Sequence, residues 1–404
     1  MSVKDKLYIG ANRFYHGAFA LFKALLHWRH PRLTTGAGCL ARIPDLLKEA
    51  RVRHPMLVTD PFLREALAPR LEAILQEAGI EYTLFCDVKP NPIAADCERA
   101  RDIYKKEGCD CFIGLGGGAP MDTAKATACL VVRPRMKLQW MKGILRVMHP
   151  LPPIIAIPTT AGTGSETTLA AVIVDQDTHH KMAIMDPVIM PRYAVLDPEL
   201  TVGLPPSVTA STGMDALVHA LEAYFSRSNN TKETKKLAED AVCLIFQYLE
   251  RAYGDGSDIE AREQMQIAAH KAGFAFSRVG VGNVHAIAHT LGGLYNTPHG
   301  LANAVILPYV MRDYGPIVYK RLARLAELTG LKTDGTEEEK ALAFIEEVEA
   351  MNERMGIPKG FDFIRDEDID QMITWALHEA NPVYPVPWVY TREHFRKIID
   401  QIRL

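Results

Sequence analysis

The sequence has almost no imbalance of charge, because 46 Lys and Arg residues stand against 49 Asp and Glu residues in 404, a formal net charge of −3. Such a balance gives no reason to expect a nucleic acid as partner. The most apolar stretch near the start, 18–28, is interrupted by a lysine and a histidine, and it is shorter than the ~18 to 20 apolar residues that span a bilayer. The opening residues also lack the pattern of a signal peptide. We therefore expect a cytoplasmic protein with no membrane partner.

The sequence has few cysteines, and their spacing does not suggest disulfide bonds. The seven cysteines are scattered over the whole chain, which is typical of reduced thiols. Cys109 and Cys111 form a C-x-C pair, but no second pair follows to complete a metal site. Internal repeats and low-complexity tracts are also lacking, so repeat architectures are not expected.

Strand and helix signals alternate from about residue 34 to 204. Short β-branched runs such as "PMLVTD" (55–60) and "CFIGLGGG" (111–118) are separated by helical stretches. This alternation predicts an α/β domain with a mostly parallel sheet and helices on both faces. A further pair of strands is predicted at 169–175 and 193–198.

The pattern changes after the proline-rich "GLPPS" (203–207), where long segments with a 3.6-residue period predict helices only. The aromatic-rich start precedes the first strand of the sheet, and a packed arm or a subunit contact is the expected role. Three parts are predicted: an N-terminal arm over 1–33, the α/β domain over 34–206 and an all-α domain over 207–404.

Three glycines at 116–118 separate a predicted strand from a helix expected to begin near Pro120. Glycine leaves no Cβ in the way of a phosphate, and the free NH groups of a helix N-terminus favour an anion. Gly114, Gly116 and Ala119 match the loose G-x-G-x-x-A fingerprint of dinucleotide sites, but Gly114 falls inside the strand. Because no acidic residue follows from 123 to 165, the fingerprint alone is weak.

A second loop rich in glycine and threonine, "PTTAGTGSE" (158–166), follows the next strand. Loops at the carboxyl ends of neighbouring strands converge where open α/β sheets bind ligands, so the two loops together predict a dinucleotide site. Asp60 closes an early strand and favours NAD over NADP if it binds the adenosine ribose; the alternative is an N-cap of the next helix. Asp122 likewise caps its helix or contacts a ribose.

Histidine and aspartate are concentrated in two segments of the helical half. Asp215 and His219 lie four residues apart in "GMDALVHALEAY" (213–224), hence on one helix face. His285 and His289 have the same spacing, and His299 follows beyond a turn. One carboxylate with two or three neutral imidazoles suits Fe²⁺ or Zn²⁺ and leaves a position open for a substrate oxygen.

These motifs together resemble the iron-containing (group III) alcohol dehydrogenase family over roughly residues 34–404. The resemblance rests on four segments: "GGGAPMDTAK", "PTTAGTGSE", "GMDALVHALEAY" and "HAIAHTLGGLYNTPHGLANA". It implies a dehydroquinate synthase-like fold, an NAD-binding domain followed by a metal-binding domain, and a homodimer or higher homo-oligomer. It implies hydride transfer between a small aliphatic alcohol or aldehyde and NAD(H), with Fe²⁺ as the expected metal and Zn²⁺ as the alternative.

The resemblance also implies roles for individual residues. The metal ligands are Asp215, His219, His285 and His299, and His289 matches a histidine near the metal that assists proton transfer or orders the site. The cofactor contacts map onto Asp60, Asn91, Gly117, Gly118, Ala119, Asp122, Thr159, Thr160, Thr163 and Lys181. Ala119 departs from the family, which usually has serine there, so weaker cofactor binding is expected.

Two other functions stay open at this point. A glycerol dehydrogenase-like or dehydroquinate synthase-like enzyme keeps the NAD and the metal but changes the reaction. An assembly protein that retains the site would act through oligomerisation, with the arm as its contact.

Overall fold

The computed structural model describes residues 3–24, 28–175, 181–228 and 230–404. Within them the chain separates into two compact units. The sheet unit comprises His27–Leu204 and Ser257–Gly273, and the helical unit comprises Met1–Leu26, Pro205–Gly256 and Phe274–Leu404. Residues 1, 2 and 25–27 of the predicted arm lie outside the described residues.

In chain order, the described strands are β1 (Arg32–Thr35), β2 (Pro55–Val58), β3 (Thr83–Phe85), β4 (Cys111–Gly116), β5 (Gly143–Ile144), β6 (Ile154–Pro158), β7 (Ala170–Val174), β8 (Lys181–Met185) and β9 (Tyr193–Leu196). The described helices are α1 (Val3–Ala24), α2 (Ile43–Ala50), α3 (Pro61–Ala66), α4 (Ala68–Glu77), α5 (Ala94–Lys106), α6 (Gly118–Val132), α7 (Pro206–Phe225), α8 (Lys232–Gly254), α9 (Ile259–Val279), α10 (Asn283–Tyr295), α11 (His299–Tyr314), α12 (Pro316–Leu328), α13 (Glu337–Arg354), α14 (Asp366–Ala380) and α15 (Arg392–Ile402).

A six-stranded sheet in the order β1-β9-β6-β4-β2-β3 forms the centre of the sheet unit, and all its pairs are parallel. Alternate residues of a strand enter different cores, as the period of two requires. Ile113 and Leu115 pack with residues of α2 and α4, whereas Phe112 packs with residues of α5 and α6. Helices therefore cover both faces, and the predicted parallel α/β fold followed by a helical half is confirmed.

Both further strands predicted at 169–175 and 193–198 are present, and they belong to different sheets. β7 pairs antiparallel with β8 in a small sheet, while β9 lies between β1 and β6 of the large sheet. Every residue of β9 is buried, as an inner strand of a parallel sheet requires, whereas residues of β7 alternate between buried and half-buried. β8 follows β7 after a short connection, which favours an antiparallel neighbour.

The helical unit is built around α7. Every residue from 213 to 225 of this helix is buried, so its polar side chains need partners within the protein. The helix begins directly after Pro205, and proline is favoured at a helix start because its missing NH needs no partner there. None of the described helices combines the length and the apolar character that crossing a bilayer requires.

The two compact units differ from the predicted domains at two segments. Residues 257–273 belong to the sheet unit, and the N-terminal arm belongs to the helical unit. Gln266 of α9 donates to the carbonyl oxygens of Pro158, the last residue of β6, and of Asp197, which follows β9. These contacts explain why 257–273 groups with the sheet unit. In the helical unit, the guanidinium of Arg13 in α1 donates to the carbonyl oxygens of Val386 and Pro387, each over 2.6 Å. The arm is thus fastened to its own chain.

Candidate active site

Three helices of the helical unit bring together four side chains that can bind a metal. α7 supplies Asp215 and His219, α10 supplies His285, and α11 begins at His299. One ligand atom of each lies within 4.8 Å of those of the other three, and only His299 is more than slightly exposed. The structure therefore brings together the four residues predicted as ligands.

The spacing within this group fits a metal ion. Asp215 Oδ2 lies 4.0 Å from His219 Nδ1, and Asp215 Oδ1 lies 3.7 Å from His299 Nε2. A tetrahedral ion with bonds of about 2.1 Å holds its ligand atoms about 3.4 Å apart. These two separations exceed that value by about 0.6 and 0.3 Å, so small movements of the side chains would close the group around an ion. A carboxylate with imidazoles is a donor set for Fe²⁺ or Zn²⁺.

Asn303, one turn after His299 on α11, shows where the lone pairs of the ligands converge. Its Nδ2 donates to Asp215 Oδ1 over 2.6 Å and lies 3.2 Å from Nε2 of both His285 and His299. An amide NH₂ has two hydrogens and accepts none, so with one hydrogen on Asp215 the other is available to one of the two ring nitrogens, which accepts it. Unprotonated imidazole nitrogen is the form that binds a metal.

Glu222 holds the ring of His285 from the opposite side. Its Oε2 lies 2.6 Å from His285 Nδ1 and accepts the NH of Gly282 over 2.7 Å, while Oε1 accepts the NH of Val284 over 2.7 Å. Burial raises the pKa of Glu222, and the hydrogen bonds from the backbone amides of Gly282 and Val284 lower it and so favour the carboxylate form. Burial also keeps the pKa of His285 well below its usual value, so the ring is neutral. A carboxylate behind a histidine fixes the ring and turns its other nitrogen towards the metal.

The two predicted glycine loops lie against each other in the sheet unit. A Cβ added to Gly117 would lie 3.4 Å from Thr160 Oγ1, and one added to Gly118 would lie 3.4 Å from Thr163 Cγ2. Their strands β4 and β6 are neighbours in the large sheet. Thr160 Oγ1 is buried and has no hydrogen-bond partner among the described residues, which fits a hydroxyl reserved for a phosphate.

The first loop turns sharply because of Gly116. This residue has φ of 148°, and a Cβ there would approach Pro120 Cγ to 2.6 Å, so only glycine fits. α6 then begins at Gly118, two residues before the predicted start near Pro120. The backbone NH groups of its first turn have no partner within the helix, which is the geometry that binds a phosphate.

Family comparisons match both halves of the chain. The model described as iron-containing alcohol dehydrogenase matches residues 31–198, and the model for the C-terminal region of the Fe-containing alcohol dehydrogenase family matches residues 209–402. The chain belongs to the iron-containing alcohol dehydrogenase family. The family resemblance seen in the sequence is thereby confirmed.

Individual members of this family are similar over most of their length. The chain is 38% identical over 354 residues to an NAD-dependent methanol dehydrogenase of Bacillus methanolicus, covering 87% of this chain and 92% of that protein. It is 34% identical over 350 residues to a lactaldehyde reductase of Escherichia coli K12, covering 85% and 91%. The crystal structure of a 1,3-propanediol oxidoreductase matches with a TM-score of 0.90 at 33% identity, covering 94% of this chain and 100% of that one.

His289, predicted to assist proton transfer in this family member, lies beside the four-residue group. Its ring stacks on that of His299, with centroids 5.1 Å apart and planes at 18°. Its Nδ1 contacts Glu379 Oε1, which also accepts the hydroxyl of Tyr384 over 2.6 Å. The ring orientation of His289 is therefore set by a carboxylate on α14.

Asp122 has structural partners in addition to its predicted cofactor role. Its Oδ1 accepts the hydroxyl of Ser165 over 2.7 Å, and its Oδ2 accepts the NH of Val172 over 3.0 Å. The buried ammonium of Lys125 lies 3.5 Å from Asp122 Oδ1 and donates to four oxygens of Ser165, Thr168 and Ala170. This network attaches α6 to the second loop.

The remaining predicted cofactor residues are placed as follows. Asp60 Oδ1 accepts the NH of Leu63 over 2.9 Å, so the capping alternative is present, and the ribose contact stays a prediction. Asn91 lies in the connection between β3 and α5, and Lys181 opens β8 opposite Val174. Thr159 donates its NH to Gly116 O and so ties the two loops together.

Sequence reasoning missed Glu222, Asn303 and Lys125, and also Glu379 beside His289. Glu222 follows Asp215 by seven residues and His219 by three, and Asn303 follows His299 by four, so helical spacing alone would have placed both on the same faces as the ligands. Lys125 lies in the "GGGAPMDTAK" segment, but nothing in the sequence indicates that its side chain is buried.

Proposed function

We propose that the chain is a metal-dependent, NAD(H)-linked alcohol dehydrogenase that interconverts small aliphatic alcohols and aldehydes by hydride transfer. The convergence of Asp215, His219, His285 and His299 carries this proposal. Family membership and the NAD-dependent methanol dehydrogenase among the relatives support the reaction class and the cofactor.

In this proposal the four residues hold Fe²⁺, with Zn²⁺ as the alternative. A bound divalent ion polarises the substrate oxygen as a Lewis acid, and NAD(H) supplies or accepts the hydride. Glu222 and Asn303 keep the donor atoms of His285 and His299 directed at one point. Such preorganisation lowers the cost of fixing the ligands when the ion binds.

His289 is the proposed proton carrier. Because Glu379 faces its Nδ1, the exchangeable proton is carried at Nε2, and the carboxylate stabilises the charged ring when that nitrogen is protonated. Tyr384 donates to the same carboxylate and orients it.

The proposed cofactor site is formed by the two glycine loops with Asp60, Asn91 and Lys181. Gly117, Gly118 and Ala119 offer backbone NH groups to the pyrophosphate, and Thr160 offers a buried hydroxyl. Asp122, Thr159 and Thr163 complete the proposed set. We also propose a cytoplasmic enzyme that forms a homodimer or a higher homo-oligomer.

The test is a metal-resolved activity assay. The protein is purified without air, its metals are measured by elemental analysis, and NADH and NADPH oxidation are followed with short aldehydes before and after Fe²⁺ or Zn²⁺ is added. Metal-dependent turnover with NADH is expected, and no turnover is expected with the substrate of dehydroquinate synthase. Asp215→Ala should lose bound metal and activity together, whereas Asp240→Asn, at a partly exposed residue on α8, should keep both. An Asp215→Ala protein with full metal content and full turnover would falsify the assignment.

A further inference from the structure

The N-terminal helix α1 has one face fastened to its own chain and an opposite face that is apolar and exposed. Asn12 and His16 are buried, and Arg13 bonds the carbonyl oxygens described above. On the other face Leu7, Phe14 and Leu21 are 70%, 80% and 75% exposed. α1 precedes the part of the chain that matches the family, so the catalytic reaction gives no account of this face.

The exposed residues recur with a period of seven. Leu7, Phe14 and Leu21 lie seven apart, and Gly10 and Gly17 repeat in the same way three residues later. Seven residues are close to two helical turns, so the large side chains form one row and the glycines form a parallel row beside it. An added Cβ at Gly10 or Gly17 meets nothing within 4 Å, so the row of glycines is open to an approaching helix.

This surface is complementary to itself when two helices run antiparallel. If residue i of one helix faces residue 31 − i of the other, Phe14 faces Gly17 of the second copy and Leu21 faces Gly10. Phe14 and Leu21 then each enter a space left by a glycine, as in knobs-into-holes packing. The arrangement has the two-fold symmetry of a closed dimer contact.

Charge also favours the antiparallel arrangement. Lys4 and Lys6 are exposed at the N-terminal end of the row. In an antiparallel pair, Lys4 and Lys6 of the two copies lie at opposite ends of the contact. A parallel partner would bring the same lysines together, which is unfavourable.

The area is sufficient for a specific contact. At the exposures given above, the three large side chains present about 400 Å² per copy, as large as a contiguous apolar patch usually is on a monomer. Two copies, with the glycine and alanine residues between these side chains, bury roughly 1,000 Å², the lower limit for a specific interface. We propose that this face of α1 pairs antiparallel with α1 of a second copy of the chain.

The experiment measures the mass of the full-length protein by sedimentation at several concentrations. Gly10→Leu/Gly17→Leu fills the row of glycines while making the face more apolar. The expected result is a dissociation constant at least tenfold higher for this double variant and for Phe14→Ser. Gly203→Leu/Gly254→Leu, two positions where an added Cβ is equally free, should keep the wild-type mass. An unchanged mass for Gly10→Leu/Gly17→Leu overturns the proposal.

A second measurement locates the contact and tests a membrane as the alternative occupant. A benzophenone amino acid in place of Phe14, in a mixture of ¹⁵N-labelled and unlabelled chains, should give a mixed-isotope product at the segment around Gly17; lack of this product overturns the proposal. With vesicles of phosphatidylglycerol and phosphatidylcholine, a membrane-binding face would bind more tightly after Gly10→Leu/Gly17→Leu, and that result also overturns pairing of two copies.

Discussion

Replacing Glu222 by glutamine removes one acceptor from a buried carboxylate that serves three NH groups, those of Gly282, Val284 and the ring of His285. Glutamine offers one oxygen and one NH₂ in place of two oxygens. If the glutamine oxygen accepts from Gly282 and His285, its NH₂ faces the NH of Val284. Both of these groups are donors, so the NH of Val284 loses its acceptor. One unpaired buried donor costs about 1–3 kcal/mol of stability.

The larger effect is expected on metal binding. Removing the partner that orients a ligating histidine typically weakens metal affinity by about 10–100-fold, which corresponds to about 1.4–2.7 kcal/mol. Glu222→Gln should lie near the lower end, because glutamine retains an oxygen for His285, and Glu222→Ala should lie near the upper end.

The assay is competition for Zn²⁺ between the metal-free protein and a chromophoric chelator, with the visible spectrum of bound Co²⁺ as a second readout of ligand geometry. Glu239→Gln is the matched control, since Glu239 accepts a hydrogen bond from the hydroxyl of Tyr224 over 3.0 Å and glutamine keeps that acceptor. A Glu222→Gln protein that binds Zn²⁺ as tightly as the wild type, with an unchanged Co²⁺ spectrum, would refute this reasoning. Reduced stability with unchanged affinity would likewise show that Glu222 acts only in folding.

Lys125→Met should lower the free energy of unfolding by about 3 kcal/mol, because buried oxygens and Asp122 lose their cation; Lys106→Met, at an exposed pair, should change it by less than about 0.5 kcal/mol in the same urea titration. Ala119→Ser should tighten NADH binding about fivefold in fluorescence titration, through one added hydrogen bond of about 1 kcal/mol, and equal affinities would contradict this. Burial and the charges of Arg13 and Arg227 lower the pKa of His16 to about 4, so docking of α1 should weaken as the pH falls from about 6.5 towards 4. Hydrogen exchange of α1 amides, corrected for intrinsic rates, should therefore be faster at pH 5 than at pH 7 in the wild type but not in His16→Gln.

The order of strands and helices could be predicted because each segment carries its own period of two or 3.6. Which strands become neighbours depends on contacts distant in sequence. The strands at 169–175 and 193–198 could therefore be predicted, but their placement in two different sheets could not. The start of α6 was misplaced by two residues, since Gly118 has a low helix propensity and takes the helical form after the turn at Gly116.

Spacing indicated a metal site formed by Asp215 with the histidines at 219, 285, 289 and 299. The family resemblance then separated the four proposed ligands from His289. The residues that orient these ligands were missed because their partners come from other parts of the chain. Glu222 gains its function only when α7 meets the start of α10, and Glu379 only when α14 meets His289. Burial of Lys125 depends in the same way on the second loop, which is folded around its ammonium group.

The four proposed ligands come from α7, α10 and α11, so an ion bound there is a cross-link between three helices as well as a reagent. An ion that binds only the folded chain stabilises it by RT ln(1 + [L]/Kd), about 4 kcal/mol at a thousandfold excess over Kd. When iron is scarce, the protein would then lose resistance to proteolysis along with its activity, and its abundance in the cell would follow the supply of metal.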